Sequence, residues 1–214
     1  MTAGKARGRF IAFEGGEGAG KSTQARLLAE ALQARGLDIV ITREPGGTAG
    51  AEALRALLLD PAYDWGPKSE ALLFAAARSD HVEHLIEPAL AAGKWVICDR
   101  FVDSSRAYQG GAGGIGDADV LTLHRIGSGG LLPDLTILIE LHAGEAALRA
   151  RARDGDAADR IGGKHADYHS AVRDRFALLA DQSPDRFARI AGTGSAQDVH
   201  ARIMAALTPL LDAP

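Results

Sequence analysis

Apolar residues along the chain fall into two alternating rhythms. Short, nearly continuous apolar runs occur at 9–14 (RFIAFE), 38–44 (DIVITRE), 94–99 (KWVICD), 133–141 (PDLTILIEL) and 187–192 (FARIAG). Their length fits strands, and the unbroken apolar centre of 133–141 fits a strand covered on both faces. Between them lie stretches with helical spacing, at 21–36, 49–60, 69–93, 117–128, 144–153, 165–182 and 195–211. The first sets apolar residues at 27, 28 and 32 and is closed by Gly36. The third reads as one long helix with Pro88 inside it, where a kink or break is expected.

Strands separated by helices imply right-handed crossovers and a five-stranded parallel sheet between two helical layers. There is no repeat, low-complexity tract or linker, so a single domain is expected over 1–214. The Gly-rich stretches 110–116, 127–130 and 154–163 are expected loops. In such folds the loops at the C-terminal ends of the strands hold the ligand site.

Composition narrows the function classes. The chain has 214 residues and a net charge of −4, which argues against a general nucleic-acid or membrane-surface binder. Any polyanion must therefore be met by local cations. Cys98 is the sole cysteine, which excludes a disulfide framework and a multi-cysteine metal site and points to a reducing cytoplasm. No run approaches the length of a membrane span. The basic start MTAGKARGRFIAF faintly resembles a signal peptide, but Glu14 ends its apolar run after four residues. His81 and His84 are three apart and His165 and His169 four apart, and both pairs are expected to face solvent.

Candidate chemistry begins at GGEGAGKST (15–23), where Gly15, Gly20, Lys21 and Ser22 satisfy G-x-x-x-x-G-K-[ST] between an apolar strand and an amphipathic helix. The loop Gly15, Gly16, Glu17, Gly18, Ala19, Gly20, with Lys21, Ser22 and Thr23, is the expected cradle for a nucleotide triphosphate. Lys21 would reach the β- and γ-phosphates, and Ser22 would offer its hydroxyl to Mg²⁺. Glu17 is a carboxylate inside a cradle for anions. A GTPase switch normally reads guanine through an Asn-Lys-x-Asp segment, and this sequence has no asparagine. A motor ATPase would need more chain. A small kinase remains.

Three further segments point to an acceptor: TREPGGT (42–48), LLFAAAR (72–78) and DRFVDSSRAYQGG (99–111). Phe74 and Arg78 are four apart and share a helix face, so one can stack on a base while the other donates to it, although spacing alone favours a core phenylalanine beside a surface arginine. Asp99 and Arg100 end an apolar strand, where an unpartnered polar pair would be costly; a structural ion pair is the plain alternative.

In order and spacing these motifs resemble the bacterial type of thymidylate (dTMP) kinase over essentially the whole chain. The resemblance implies a three-layer P-loop kinase fold and transfer of the ATP γ-phosphoryl group to dTMP, giving dTDP in dTTP biosynthesis. It implies that Phe74 stacks on thymine, that Arg78 bonds its exocyclic oxygen, and that Arg43 and Arg100 bind the acceptor phosphate. Asp99 would contact the Mg²⁺ shell or position that phosphate. Ser104, Ser105 and Gln109 are candidate base ligands, Tyr108 would crowd the sugar C2′, and Glu17 would sit near the 3′-hydroxyl. As a solvated loop residue, Glu17 would have no such task. ATP and dTMP are the implied small-molecule partners, with a homodimer built on long helices.

LRARARDGDAADRIGG (148–163) resembles the lid of that type. It carries Arg149, Arg151, Arg153 and Arg160. Gly18 occupies the loop position where other members carry an arginine, so the lid arginines, chiefly Arg153 and Arg160, would neutralise the transferring group. Gly162 stands where the family pattern commonly has Glu, which leaves any such role to another carboxylate such as Asp167.

Overall fold

The computed structural model describes residues 6–141, 144–145, 161 and 165–212. All five apolar runs form strands: β1 (Phe10–Glu14), β2 (Ile39–Arg43), β3 (Trp95–Asp99), β4 (Leu135–Glu140) and β5 (Phe187–Ala191). They make one sheet of order β2-β3-β1-β4-β5, in which every pairing is parallel. β1 is central and wholly buried, which explains its lack of polar alternation.

Successive β1 side chains feed opposite faces. Ile11 and Phe13 join Leu28 and Leu32 of α1 (Lys21–Gln33) and Ile203 and Leu207 of α8 (Ala196–Leu211) in one core. Phe10 and Ala12 join Val82, Ile86, Leu90 and Phe101 on the other side. A third cluster gathers Tyr108, Leu138 and Ile161 around Val172, Phe176 and Leu179 of α7 (Ala166–Gln182). Thr48 caps α2 (Ala49–Leu59), and α6 (Asp117–Ser128) packs against α3 (Pro67–His81).

Two expectations are corrected. Helical hydrogen bonding does not break at Pro88: α3 runs into a π-helical turn, Val82–Ile86, and then into α4 (Glu87–Ala91). The Glu87 amide donates to Val82 five residues back, so the wide turn precedes the proline and accommodates a ring that lacks an N–H. Likewise, 110–116 is not all loop. α5 (Val102–Ser105) continues into a π-helical segment, Arg106–Ala112. Gly110 and Gly111 serve close packing there: an added Cβ would lie 3.3 Å from Val120 and 2.9 Å from Arg175. No helix among the described residues is long and apolar enough to cross a membrane.

Candidate active site

The site is assembled where β1, β3 and β2 end. After β1 the chain turns through glycines at positive φ, 137° at Gly15, 72° at Gly18 and 88° at Gly20, and enters α1 at Lys21. Any Cβ on Gly15 would lie 2.4 Å from the Ile139 carbonyl, so the loop can run this close to β4 only with glycine. Lys21 is buried, and its ammonium donates to the Gly15 and Gly16 carbonyls at 3.2 and 2.8 Å. Burial, then the neighbouring Arg100 cation, lowers its pKa to about 8. A bound phosphate would supply the missing counter-charge. Thr23 is exposed on the first turn of α1.

β3 delivers the next pair. Ser22 donates a short hydrogen bond to the Asp99 carboxylate, which places two hard oxygen donors together at the start of α1. Arg100, the only described non-glycine residue at positive φ, turns its guanidinium back across the loop. Nη1 donates to the Gly15 carbonyl and Ser104 Oγ, each at 3.0 Å, and Nη2 donates to Glu17 Oε1 at 2.6 Å and Tyr108 Oη at 3.3 Å. Beneath it Glu14 is fully buried and accepts from the amides of Phe101 (2.8 Å) and Ser104 (3.0 Å) and from Ser104 Oγ (2.6 Å). Burial, then repulsion from Asp103, pushes the Glu14 pKa up to about 7, against Arg100 and these donors.

A cleft of about 310 Å³ joins this cationic end to an aromatic one. Its walls carry Glu17, Lys21, Ser22, Arg43, Arg55, Asp99, Arg100, Ser104 and Tyr108 at one end and Phe74, Arg78, Ser105 and Gln109 at the other, with Leu59 and Ile161. Arg78 is held rigidly: Nε donates to Glu44 at 2.7 Å, and Nη2 donates to Ser105 Oγ at 2.9 Å and the Phe101 carbonyl at 3.3 Å. His81 bridges Glu44 Oε1 (3.1 Å) and Thr42 Oγ1 (2.7 Å). Gln109 donates to Glu70 at 2.8 Å. Phosphate-compatible cations at one end and a flat ring flanked by fixed polar groups at the other suit a nucleotide lying along the cleft.

Comparison with known proteins agrees with that geometry. The family model described as Thymidylate kinase matches residues 13–203. A thymidylate kinase of Rhizorhabdus wittichii is 55% identical over 205 residues, covering 95% of this chain and 99% of that protein. Thymidylate kinases of Rhodopseudomonas palustris and a Bradyrhizobium species are 47% and 45% identical, each alignment covering 89% of the relative and at least 93% of this chain. The chain belongs to the thymidylate kinase family.

Measured against that family reading, most expected site residues share the cleft. Ser104 lines the cleft, and its hydroxyl donates to Glu14 and accepts from Arg100. Arg43 lines the cleft but is half exposed, and its Nη2 donates to both oxygens of Glu52, at 3.0 and 3.1 Å. The solvent-facing expectation is corrected for His81, which is fully buried because β2 and the loop after it supply polar partners on both sides of its ring; His84 is exposed. His165 is exposed and His169 partly so, as is Asp167 exposed in the first turn of α7. Arg149, Arg151, Arg153, Arg160 and Gly162 lie outside the described residues.

Sequence reasoning missed Glu14, Glu44, Arg55 and Glu70. Arg55 donates to the Pro45 carbonyl at 2.7 Å from a cleft-lining position. Glu70, Phe74 and Arg78 form a four-residue-spaced stripe on α3, a periodicity that was available as a signal.

Proposed function

We propose that the protein transfers the γ-phosphoryl group of ATP to the 5′-phosphate of dTMP, giving ADP and dTDP. The observation that carries this reading is the continuity of one cleft from Lys21 and Ser22 to Phe74, Arg78 and Gln109. A phosphate-binding loop alone would fit any nucleotide hydrolase; an adjoining pocket for a second nucleotide fits a phosphotransferase.

In this reading an ionised oxygen of the dTMP phosphate attacks the γ-phosphorus, and the bond to the β–γ bridging oxygen breaks. The nucleophile is already an anion, so no strong general base is needed. Rate enhancement comes from alignment and from cations placed where charge accumulates. Lys21 holds the donor's β- and γ-phosphates. Arg100 holds the acceptor phosphate, with Arg43 and Arg55 on the same side of the cleft. Ser22 and Asp99 are the oxygen donors that fit Mg²⁺, and the ion would shield negative charge on the donor phosphates. Arg153 and Arg160 are assigned the lid role on chemistry alone, since a guanidinium fork can donate to two phosphoryl oxygens at once.

At the other end Phe74 stacks on thymine and Arg78 donates to its exocyclic oxygen. Ser105 fixes Arg78, while Tyr108 and Glu17 face the sugar. A homodimer is part of the proposal. Leu72 on α3 and Ile126 on α6 are 56% and 74% exposed on two helices that pack together, which offers an apolar face to a second copy. A cytoplasmic setting fits the single, free and buried Cys98.

The deciding experiment is a coupled ADP-release assay with ATP, Mg²⁺ and each common ribo- and deoxyribonucleoside monophosphate. dTMP is expected to give the highest kcat/KM. A clear preference for AMP, CMP or GMP would overturn the reading of Phe74 and Arg78.

A further inference from the structure

Gln109 lines the cleft beside Phe74 and Arg78, and Glu70 contacts it from outside that lining; both are buried, at 2% exposure for Gln109 and 4% for Glu70. The Gln109 amide nitrogen donates to Glu70 Oε1 at 2.8 Å. A side-chain amide has a donor end and an acceptor end and can present either by turning over. Glu70 removes that freedom. As a carboxylate it only accepts, so turning the amide would press the Gln109 carbonyl oxygen against a carboxylate oxygen in a buried place. Glu70 also lies in the first turn of α3, where the positive end of the helix favours an anion. The amide is thus held with its nitrogen inward, and no hydrogen bond among the described residues engages its Oε1.

The base edge this selects can be read from the chemistry. Thymine and uracil carry a ring N–H beside an exocyclic oxygen, whereas cytosine has a bare ring nitrogen beside an amino group. An acceptor fixed at Gln109 and a donor fixed at Arg78 match the first pattern and oppose the second on both counts. We propose that Glu70 is a positioning residue that locks Gln109 as an acceptor and thereby sets the preference for a pyrimidine with a ring N–H. This rests on the thymine reading of the cleft.

The test measures kcat/KM for dTMP, dUMP and dCMP in the wild type, Glu70→Gln, Glu70→Ala and Gln109→Leu, with folding checked by thermal melting. Glu70→Gln is isosteric and can either accept from or donate to Gln109, so the amide can turn. The dCMP:dTMP ratio is expected to rise about tenfold or more in Glu70→Gln, while dUMP:dTMP changes by less than about twofold because the two bases share one edge. Glu70→Ala, which leaves room for the amide to turn, is expected to move the same ratio in the same direction and serves if Glu70→Gln fails to fold. An unchanged dCMP:dTMP ratio in the folded variants, or an equal rise in both ratios, would overturn the role of Glu70. Gln109→Leu separates the causes. If it lowers kcat/KM for dTMP while the Glu70 variants leave the ratio alone, only the positioning role fails. If Gln109→Leu also changes nothing, the base assignment fails with it.

Discussion

Arg100 Nη2 lies 2.6 Å from Glu17 Oε1, so the carboxylate in the phosphate loop is bound to the cation that ends β3. In the proposed reading Glu17 therefore faces the acceptor side, where its charge would offset Arg100 until a phosphate arrives. Tyr108 Oη also reaches the same oxygen, at 3.3 Å. A carboxylate has about four lone-pair positions, enough to keep these donors and accept from a sugar hydroxyl as well. With 3′-deoxy-dTMP that hydroxyl is missing, and the wild type should use it less well than dTMP. Glu17→Gln is expected to narrow the gap in kcat/KM between the two acceptors. An unchanged ratio would remove the hydroxyl contact.

Arg100 is bonded to the loop, to Ser104 and to Glu17 at once, with both terminal guanidinium nitrogens engaged. Arg100→Ala should lower kcat/KM for dTMP by about 10²–10³, the range seen when one fixed stabilising donor is removed. Binding of a non-hydrolysable ATP analogue, followed by calorimetry, should change little. Arg100→Lys should recover only part of the loss, because an ammonium cannot fork. An equal loss of ATP-analogue affinity would move Arg100 to the donor side.

Much of this arrangement was legible in the sequence because it follows from local rules. The apolar runs mark all five strands, and the phosphate loop has the strand-to-helix context that its glycines require. Phe74 and Arg78 were placed on one helix face by spacing alone. What stayed hidden depends on partners distant in the chain. His81 looks like a surface residue beside His84, but Thr42 and Glu44 enclose it from a segment almost 40 residues earlier. Glu14 reads as the polar end of a strand until the amides of Phe101 and Ser104 close on it. Gly110 and Gly111 read as loop because their reason is the nearness of Val120 and Arg175, which no local pattern records.

Glu14 makes stability depend on pH. Its pKa rises from 4.5 to about 7 in the fold, so between these values the folded chain binds more protons than the unfolded one. The associated stability is fully present below pH 4.5 and is lost as pH rises through about 7, an effect of about 3 kcal/mol. Glu14→Gln should remove that slope. The difference in unfolding free energy between variant and wild type, from urea titrations at pH 5 and pH 8, should therefore move in the variant's favour at pH 8. Turnover should follow the opposite course. Ionised Glu14 holds Ser104, and through it Arg100, so the wild type should lose kcat as pH falls through about 7, while Glu14→Gln stays low and flat.

Asp103 couples the same site to the helical layer behind it. It is fully buried, and Arg186 donates to it at 2.6 and 3.0 Å and Arg106 at 3.1 Å. Asp103→Ala takes the buried counter-charge from Arg186, while Arg106 keeps Asp117 at 2.8 Å, and should cost about 3 kcal/mol in urea denaturation at pH 8. Asp103→Asn keeps an acceptor oxygen and should cost less. It has a second effect that the alanine shares. Repulsion from Asp103 is one of the forces raising the Glu14 pKa, second to burial, so either variant should move the activity midpoint near pH 7 to lower pH. The pH profile of kcat in Asp103→Asn, measured beside Glu14→Gln, checks this. A midpoint that stays in place would mean that repulsion from Asp103 does not contribute to the Glu14 titration.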